Sequence, residues 1–177
     1  MMIHLVLGGA RSGKSSYSEK QSLDIARDED KQLHYIATAI SFDTEMEKRI
    51  VLHQQQRDHR WQLHECPTKV PEVLESFTSK DVILVDCLTL WLNNVLFELG
   101  DEASSVEIEY RVDELVSEIA HCKADILLVS NEVGLGVIPM GKVTRTFVDH
   151  AGWMNQKIAK IATNVTFVAA GLPLKMK

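Results

Sequence analysis

A chain of 177 residues, 45% of them hydrophobic and 25% charged, has the size and balance of one globular domain with its own core, which excludes a disordered or fibrous protein. Its net charge of −6, with no basic block, argues against a nucleic-acid partner and requires any anionic substrate to find a locally positive site. Cys66, Cys87 and Cys122 are odd in number without metal-ligand spacing, no apolar run reaches the roughly 20 residues of a membrane span, and a strand begins too early for a signal peptide; a cytoplasmic protein with reduced thiols is expected.

The first expected strand, Ile3–Leu7, runs into Gly8-Gly9-Ala10-Arg11-Ser12-Gly13-Lys14-Ser15 and then a helix over Ser15–Ala26. Those eight residues complete the pattern G-x-x-x-x-G-K-[ST], and the strand-to-helix context is the one in which that pattern works. The unpaired amides of a first helical turn and the aligned peptide dipoles face a phosphate chain. Gly8 and Gly13 let the backbone approach, Lys14 supplies charge for the β and γ phosphates, and Ser15 offers a hydroxyl to Mg²⁺. This segment predicts nucleoside triphosphate binding.

Further strands are expected at Leu33–Ala37, near Gln62–Glu65, and at Val82–Asp86, Asp125–Ser130 and Val165–Ala169. Between them fall expected helices at Thr44–Arg57, Pro71–Phe77, Leu88–Leu99, Val106–His121 and Val143–Thr163. Boundary signals are Asp43 as a cap, Pro71 in a first turn, Gly100 after a last turn and Ser105 before Val106. Continuous runs such as Val82-Ile83-Leu84-Val85 suit a parallel sheet covered on both faces. The expected fold is therefore α/β: a P-loop NTPase-like, doubly wound, mostly parallel sheet with helices on both faces, as one domain over residues 1–177.

Three constellations add chemistry to the loop. Asp86 ends an apolar strand, where it either holds Mg²⁺ opposite Ser15 or caps the helix at Leu88. Asn131-Glu132-Val133-Gly134-Leu135-Gly136 follows another strand and reads as a flexible substrate loop or as a turn with a solvated glutamate. Arg49, His53 and Arg57 recur every four residues along one helical face. Two guanidinium groups favour a neutral imidazole able to attack phosphorus, although a solvated basic face has the same spacing.

These motifs resemble the bifunctional adenosylcobinamide kinase/adenosylcobinamide-phosphate guanylyltransferase family. The resemblance rests on the loop Gly8–Ser15, Tyr35-Ile36-Ala37-Thr38, Arg49-Ile50-x-x-His53 with Arg57 and Trp61, and Val85-Asp86-Cys87-Leu88-Thr89. It continues through Ser130–Gly136 and Phe147-x-Asp149-x-Ala151-Gly152-x-x-Asn155-Gln156, collinear over nearly the whole chain. The resemblance implies phosphorylation of adenosylcobinamide by ATP or GTP. It then implies GMP transfer from GTP onto adenosylcobinamide phosphate, through a guanylylated histidine that maps to His53. It carries nucleotide contacts to Gly8, Gly9, Ala10, Arg11, Ser12, Gly13, Lys14 and Ser15, to Ala37, Thr38 and Ala39, to Gln54, Gln55, Gln56 and Arg57, and to Glu65 and Asp86. It also implies a homotrimer. The competing readings are a single-activity P-loop kinase and a regulatory NTPase; the guanine-specifying Asn-Lys-x-Asp and the Leu-Ser-Gly-Gly-Gln sequences that would mark the latter are absent.

Overall fold

The computed structural model describes residues 1–40, 59–100, 102–137 and 139–177. In chain order these form β1 (Ile3–Gly8), α1 (Lys14–Glu29), β2 (Gln32–Ala37), β3 (Trp61–Glu65), α2 (Val70–Leu74), β4 (Asp81–Asp86) and α3 (Leu88–Leu99). There follow α4 (Ser105–His121), β5 (Asp125–Asn131), α5 (Lys142–Ile161), β6 (Asn164–Ala169) and β7 (Leu172–Lys175). The expected helix Thr44–Arg57 and its cap Asp43 lie outside the described residues.

The strands make one seven-stranded sheet in the order β3-β2-β4-β5-β1-β6-β7, parallel except for the β6–β7 pair. The central strands β1, β4 and β5 are buried along nearly their whole length because alternate residues point to opposite faces and both faces are covered. On β4, Ile83 and Val85 join one core with residues of α3, α4 and α5, whereas Val82 and Leu84 join a second core that includes Ala26 of α1. Helix α1 buries Lys14, Ser18, Ser22 and Ala26 along one stripe. These small residues let it approach the sheet closely, and their hydroxyls are satisfied within the helix: Ser18 Oγ donates to Lys14 O (2.8 Å) and Ser22 Oγ to Ser18 O (2.9 Å).

Two boundaries differ from expectation. Helix α4 is capped by Ser104 rather than Ser105. Ser104 Oγ accepts from Glu107 N (3.3 Å) while Ser104 N donates to Glu107 Oε2 (2.9 Å), so the glutamate three residues on selects between the two serines. Strand β7 is not foreseen, because Leu-Pro-Leu-Lys carries a proline that argues against a central strand. It forms at the sheet edge, where Pro173 opposite Val168 is tolerated.

The β6–β7 hairpin closes through Ala170 (φ 51°) and Gly171 (φ 77°), a two-residue turn with both φ values positive. Alanine is poorly suited to that region. Ala170→Asn, which creates the favoured Asn-Gly pair, is expected to stabilise the fold by about 1 kcal/mol and to raise Tm by about 2–4 °C on thermal unfolding.

Several histidines are held below their ordinary pKa. Burial does this for His4 and His150, and burial together with the neighbouring His34 ring does it for His64. His34 Nδ1 and His64 Nε2 lie 3.1 Å apart, and His34 Nε2 faces Asp81 Oδ1 at 3.2 Å. A folded-state pKa below the unfolded value of 6.5 gives stability that is present above pH 6.5 and lost as pH falls through the folded value. Tm should therefore decline from about pH 7.5 to about 5.5, and His64→Gln should flatten that decline. An unchanged Tm over that range would contradict this account.

Candidate active site

The parallel strands bring their carboxyl ends to one edge of the sheet, where Gly8 ends β1, Ala37 ends β2, Glu65 ends β3, Asp86 ends β4 and Asn131 ends β5. Register aligns Gly8 with Asn131, and Ala37 with both Asp86 and Glu65. Asp86 is two strands from Gly8, about 10 Å across the sheet, and Glu65 is four strands away, about 19 Å. The edge thus brings the loop, Asp86 and Asn131 together and leaves exposed Glu65 at the far end.

Residues 8–15 turn β1 into α1. A Cβ on Gly8 would lie 2.5 Å from both Ser12 Oγ and Val168 O, so only glycine fits there. Gly13 (φ 94°) is the N-cap of α1 and gives it no side-chain cap, which leaves the first helical amides for a ligand. Gly9 is half-buried, Ala10 and Arg11 are exposed, Ser12 is buried, and Ser15 is half-buried in the first helical turn. Lys14 is only 7% exposed and folds back so that Nζ donates to Gly9 O (2.9 Å). Burial pushes its pKa below the usual lysine value, and the Asp86 carboxylate pulls it back up. The loop and the β4 carboxylate therefore share one electrostatic environment.

Asp86 is oriented by a residue that sequence reasoning left out of the site. Tyr35 Oη donates to Asp86 Oδ2 (2.9 Å). Tyr35 pairs with Leu84, two residues before Asp86, so the contact is the diagonal one between neighbouring strands. Thr38 is fully buried, and its hydroxyl both donates to Cys87 O and accepts from Cys87 N, each at 2.8 Å. Asn94 Nδ2 donates to Thr38 O (2.8 Å) and fixes that segment from α3. Ala39 follows, half-buried.

Asn131 Nδ2 donates to Thr89 Oγ1 (2.7 Å), and Glu132 N donates to Gly8 O (3.1 Å), which ties the loop after β5 to the start of the phosphate loop. Glu132 Oε1 accepts from Gly134 N (3.1 Å), so this carboxylate is folded onto its own turn, and Gly136 is exposed beyond it. His53, Gln54, Gln55, Gln56 and Arg57, together with Arg49, lie outside the described residues. The hydroxyl of Ser15 and the carboxylate of Asp86 are hard oxygen donors of the kind Mg²⁺ prefers, so the donor set fits that ion. Among the described residues no helix is long and apolar enough to cross a membrane.

The model for the family described as cobinamide kinase / cobinamide phosphate guanyltransferase matches residues 4–176. The chain belongs to that family. It is 42% identical to the bifunctional adenosylcobalamin biosynthesis protein CobP of Pseudomonas aeruginosa, over 99% of this chain and 98% of that one. It is also 36% and 34% identical to the bifunctional adenosylcobalamin biosynthesis proteins CobU of Salmonella typhimurium and Escherichia coli, over 99% of this chain and all of each relative. Among solved structures, one described as an ATPase domain superposes with a TM-score of 0.55 over 94% of this chain and 68% of that one, at 11% identity. A KaiC-like protein of Pyrococcus horikoshii superposes with a TM-score of 0.50 over 94% and 70%, also at 11% identity. At such identity these two speak for the fold alone, the P-loop NTPase-like α/β sheet that the strand pattern predicts. The cobinamide kinase / guanyltransferase family is thus supported along the whole length of the chain.

Proposed function

We propose that this chain phosphorylates adenosylcobinamide with ATP or GTP and then transfers GMP from GTP to adenosylcobinamide phosphate, giving adenosylcobinamide-GDP and pyrophosphate. One observation carries this reading: an intact phosphate loop beside Asp86, in a chain matched from residue 4 to 176 by the model of the two-activity family. In the first reaction the oxygen of the aminopropanol hydroxyl bonds to the γ-phosphorus as the bond to the bridging oxygen breaks, the nucleoside diphosphate leaves, and the hydroxyl proton passes to solvent. The amides of residues 8–15 and the Lys14 ammonium stabilise the charge gathered on the transferred group. Ser15 and Asp86 would hold Mg²⁺, which neutralises phosphate charge when bound. The Tyr35 hydroxyl donates to Asp86 Oδ2 and so would help to orient this carboxylate toward the cation.

In the second reaction a ring nitrogen of neutral His53 bonds to the α-phosphorus as pyrophosphate leaves, and Arg49 or Arg57 steadies the non-bridging oxygens. The cobinamide phosphate oxygen then displaces the imidazole. Ala37, Thr38, Ala39, Gln54, Gln55, Gln56 and Glu65 complete the nucleotide contacts. Residues Asn131, Glu132, Gly134 and Gly136 border the acceptor, and the protein works as a cytoplasmic homotrimer. The test is an assay with adenosylcobinamide, ATP and GTP that scores phosphorylated and GDP-bearing corrinoid separately. Both products support the reading. Phosphate ester alone would make the protein a single-activity kinase, and neither product would make it a regulatory NTPase.

A further inference from the structure

The β6–β7 hairpin approaches the phosphate loop at three points, two of them at Gly171 of its turn and the third at Val168 of β6, which pairs with Gly8 in the sheet. Gly171 N donates to Ser12 O at 2.8 Å. The Cβ position of Gly13 lies 3.1 Å from Gly171 Cα, and that of Gly8 lies 2.5 Å from Val168 O. Nothing in the loop sequence announces these contacts, since Gly171 is far from the loop in sequence and belongs to the strand pair that the proline at 173 conceals.

The bond to Ser12 O has a direct electrostatic meaning. In a trans peptide the carbonyl and the following N–H point in opposite directions. Fixing Ser12 O toward the hairpin therefore turns the Gly13 N–H the other way, away from the hairpin. Gly13, with φ 94° and no Cβ, is the residue at which this peptide could most easily rotate over. In the rotated form a carbonyl oxygen replaces an amide proton as the group facing an anion, and a donor becomes a repulsive acceptor. The contact from Gly171 removes that alternative.

We propose that Gly171 is a positioning residue for the triphosphate: its backbone N–H, held out by the β6–β7 turn, locks the Ser12–Gly13 peptide with its amide toward the phosphates. This rests on the reading of residues 8–15 as the nucleotide site. The decisive variant replaces Gly171 by glycolic acid through nonsense suppression, exchanging the N–H for an ester oxygen while keeping the turn. Its affinity for a non-hydrolysable GTP analogue and for inorganic tripolyphosphate should fall by about 10-fold for both. Its Gly13 amide resonance should change from one state to two in exchange. Ala170→Asn, which keeps the N–H, should bind both probes as the unaltered protein does.

Normal binding of both probes by the ester protein overturns the inference. So does a loss confined to the GTP analogue, which would place the hairpin at the base, or an equal loss in Ala170→Asn, which keeps the Gly171 N–H and so would show that the loss does not report that N–H. Lys14→Ala separates this from the underlying reading. If Lys14→Ala binds tripolyphosphate normally, the site assignment fails and the inference with it. If it does not bind while the ester protein binds normally, only the role of Gly171 fails.

Discussion

Lys14→Ala is expected to lower kcat for both phosphoryl and guanylyl transfer by about 10²–10³-fold or more, without lowering Tm. The two halves of that expectation have the same cause. Lys14 is 7% exposed, has a Gly9 carbonyl as its partner at 2.9 Å, and has its pKa pushed down by burial. An ammonium kept inside under those conditions costs stability rather than adding it. Its removal should leave the fold intact or slightly firmer, while the phosphate oxygens that would replace Gly9 O lose their cation. Lys14→Arg should not restore activity, because a planar fork does not fit where a compact point charge folds across the loop. The measurement is kcat for each product alongside a thermal melt. A variant with low Tm and normal kcat would mean that the lysine is a structural group.

His53→Ala is expected to behave differently. Guanylyl transfer should fall by at least about 10³-fold, as loss of a nucleophile does, whereas phosphorylation of adenosylcobinamide should persist within a few-fold. A GMP bound through nitrogen is a phosphoramidate, labile to acid and stable to base. With α-labelled GTP the unaltered chain should retain label of that kind, His53→Ala should retain none, and γ-labelled GTP should leave none on either. Label that survives in His53→Ala places the covalent bond on another residue. The two substitutions together partition the chemistry: one disables both transfers and the other disables only the second.

How much of the molecule is legible in its sequence varies with distance along the chain. The phosphate loop is local, so its glycines, lysine and strand-to-helix setting can be read directly, as can Asp86 at the end of an apolar run. The α4 cap is recoverable in principle from Ser104-x-x-Glu107, where the glutamate identifies the serine that pairs with it. Tyr35 and Asp86 are 51 residues apart and meet only because β2 and β4 are neighbours, which no spacing rule reveals. The engagement of the Thr38 hydroxyl with Cys87 is hidden for the same reason. Strand β7 escapes a sequence reading because proline is taken as a breaker, and only its edge position makes Pro173 acceptable.

Strand β1 sits between β5 and β6, pairing Ile3 with Ile126 and His4 with Asn164. During synthesis the chain therefore makes its nucleotide loop first and both of the strands that flank it more than a hundred residues later. At about 5–20 residues per second, the loop waits for seconds with neither neighbour in place. Closing such distant pairs is entropically slow, so β1 is among the last strands that can dock. A ribosome-bound chain that has not yet exposed β6 and the turn beyond it therefore lacks the Gly171 contact to Ser12, and the phosphate loop reaches its final surroundings only when the last strands of the sheet arrive.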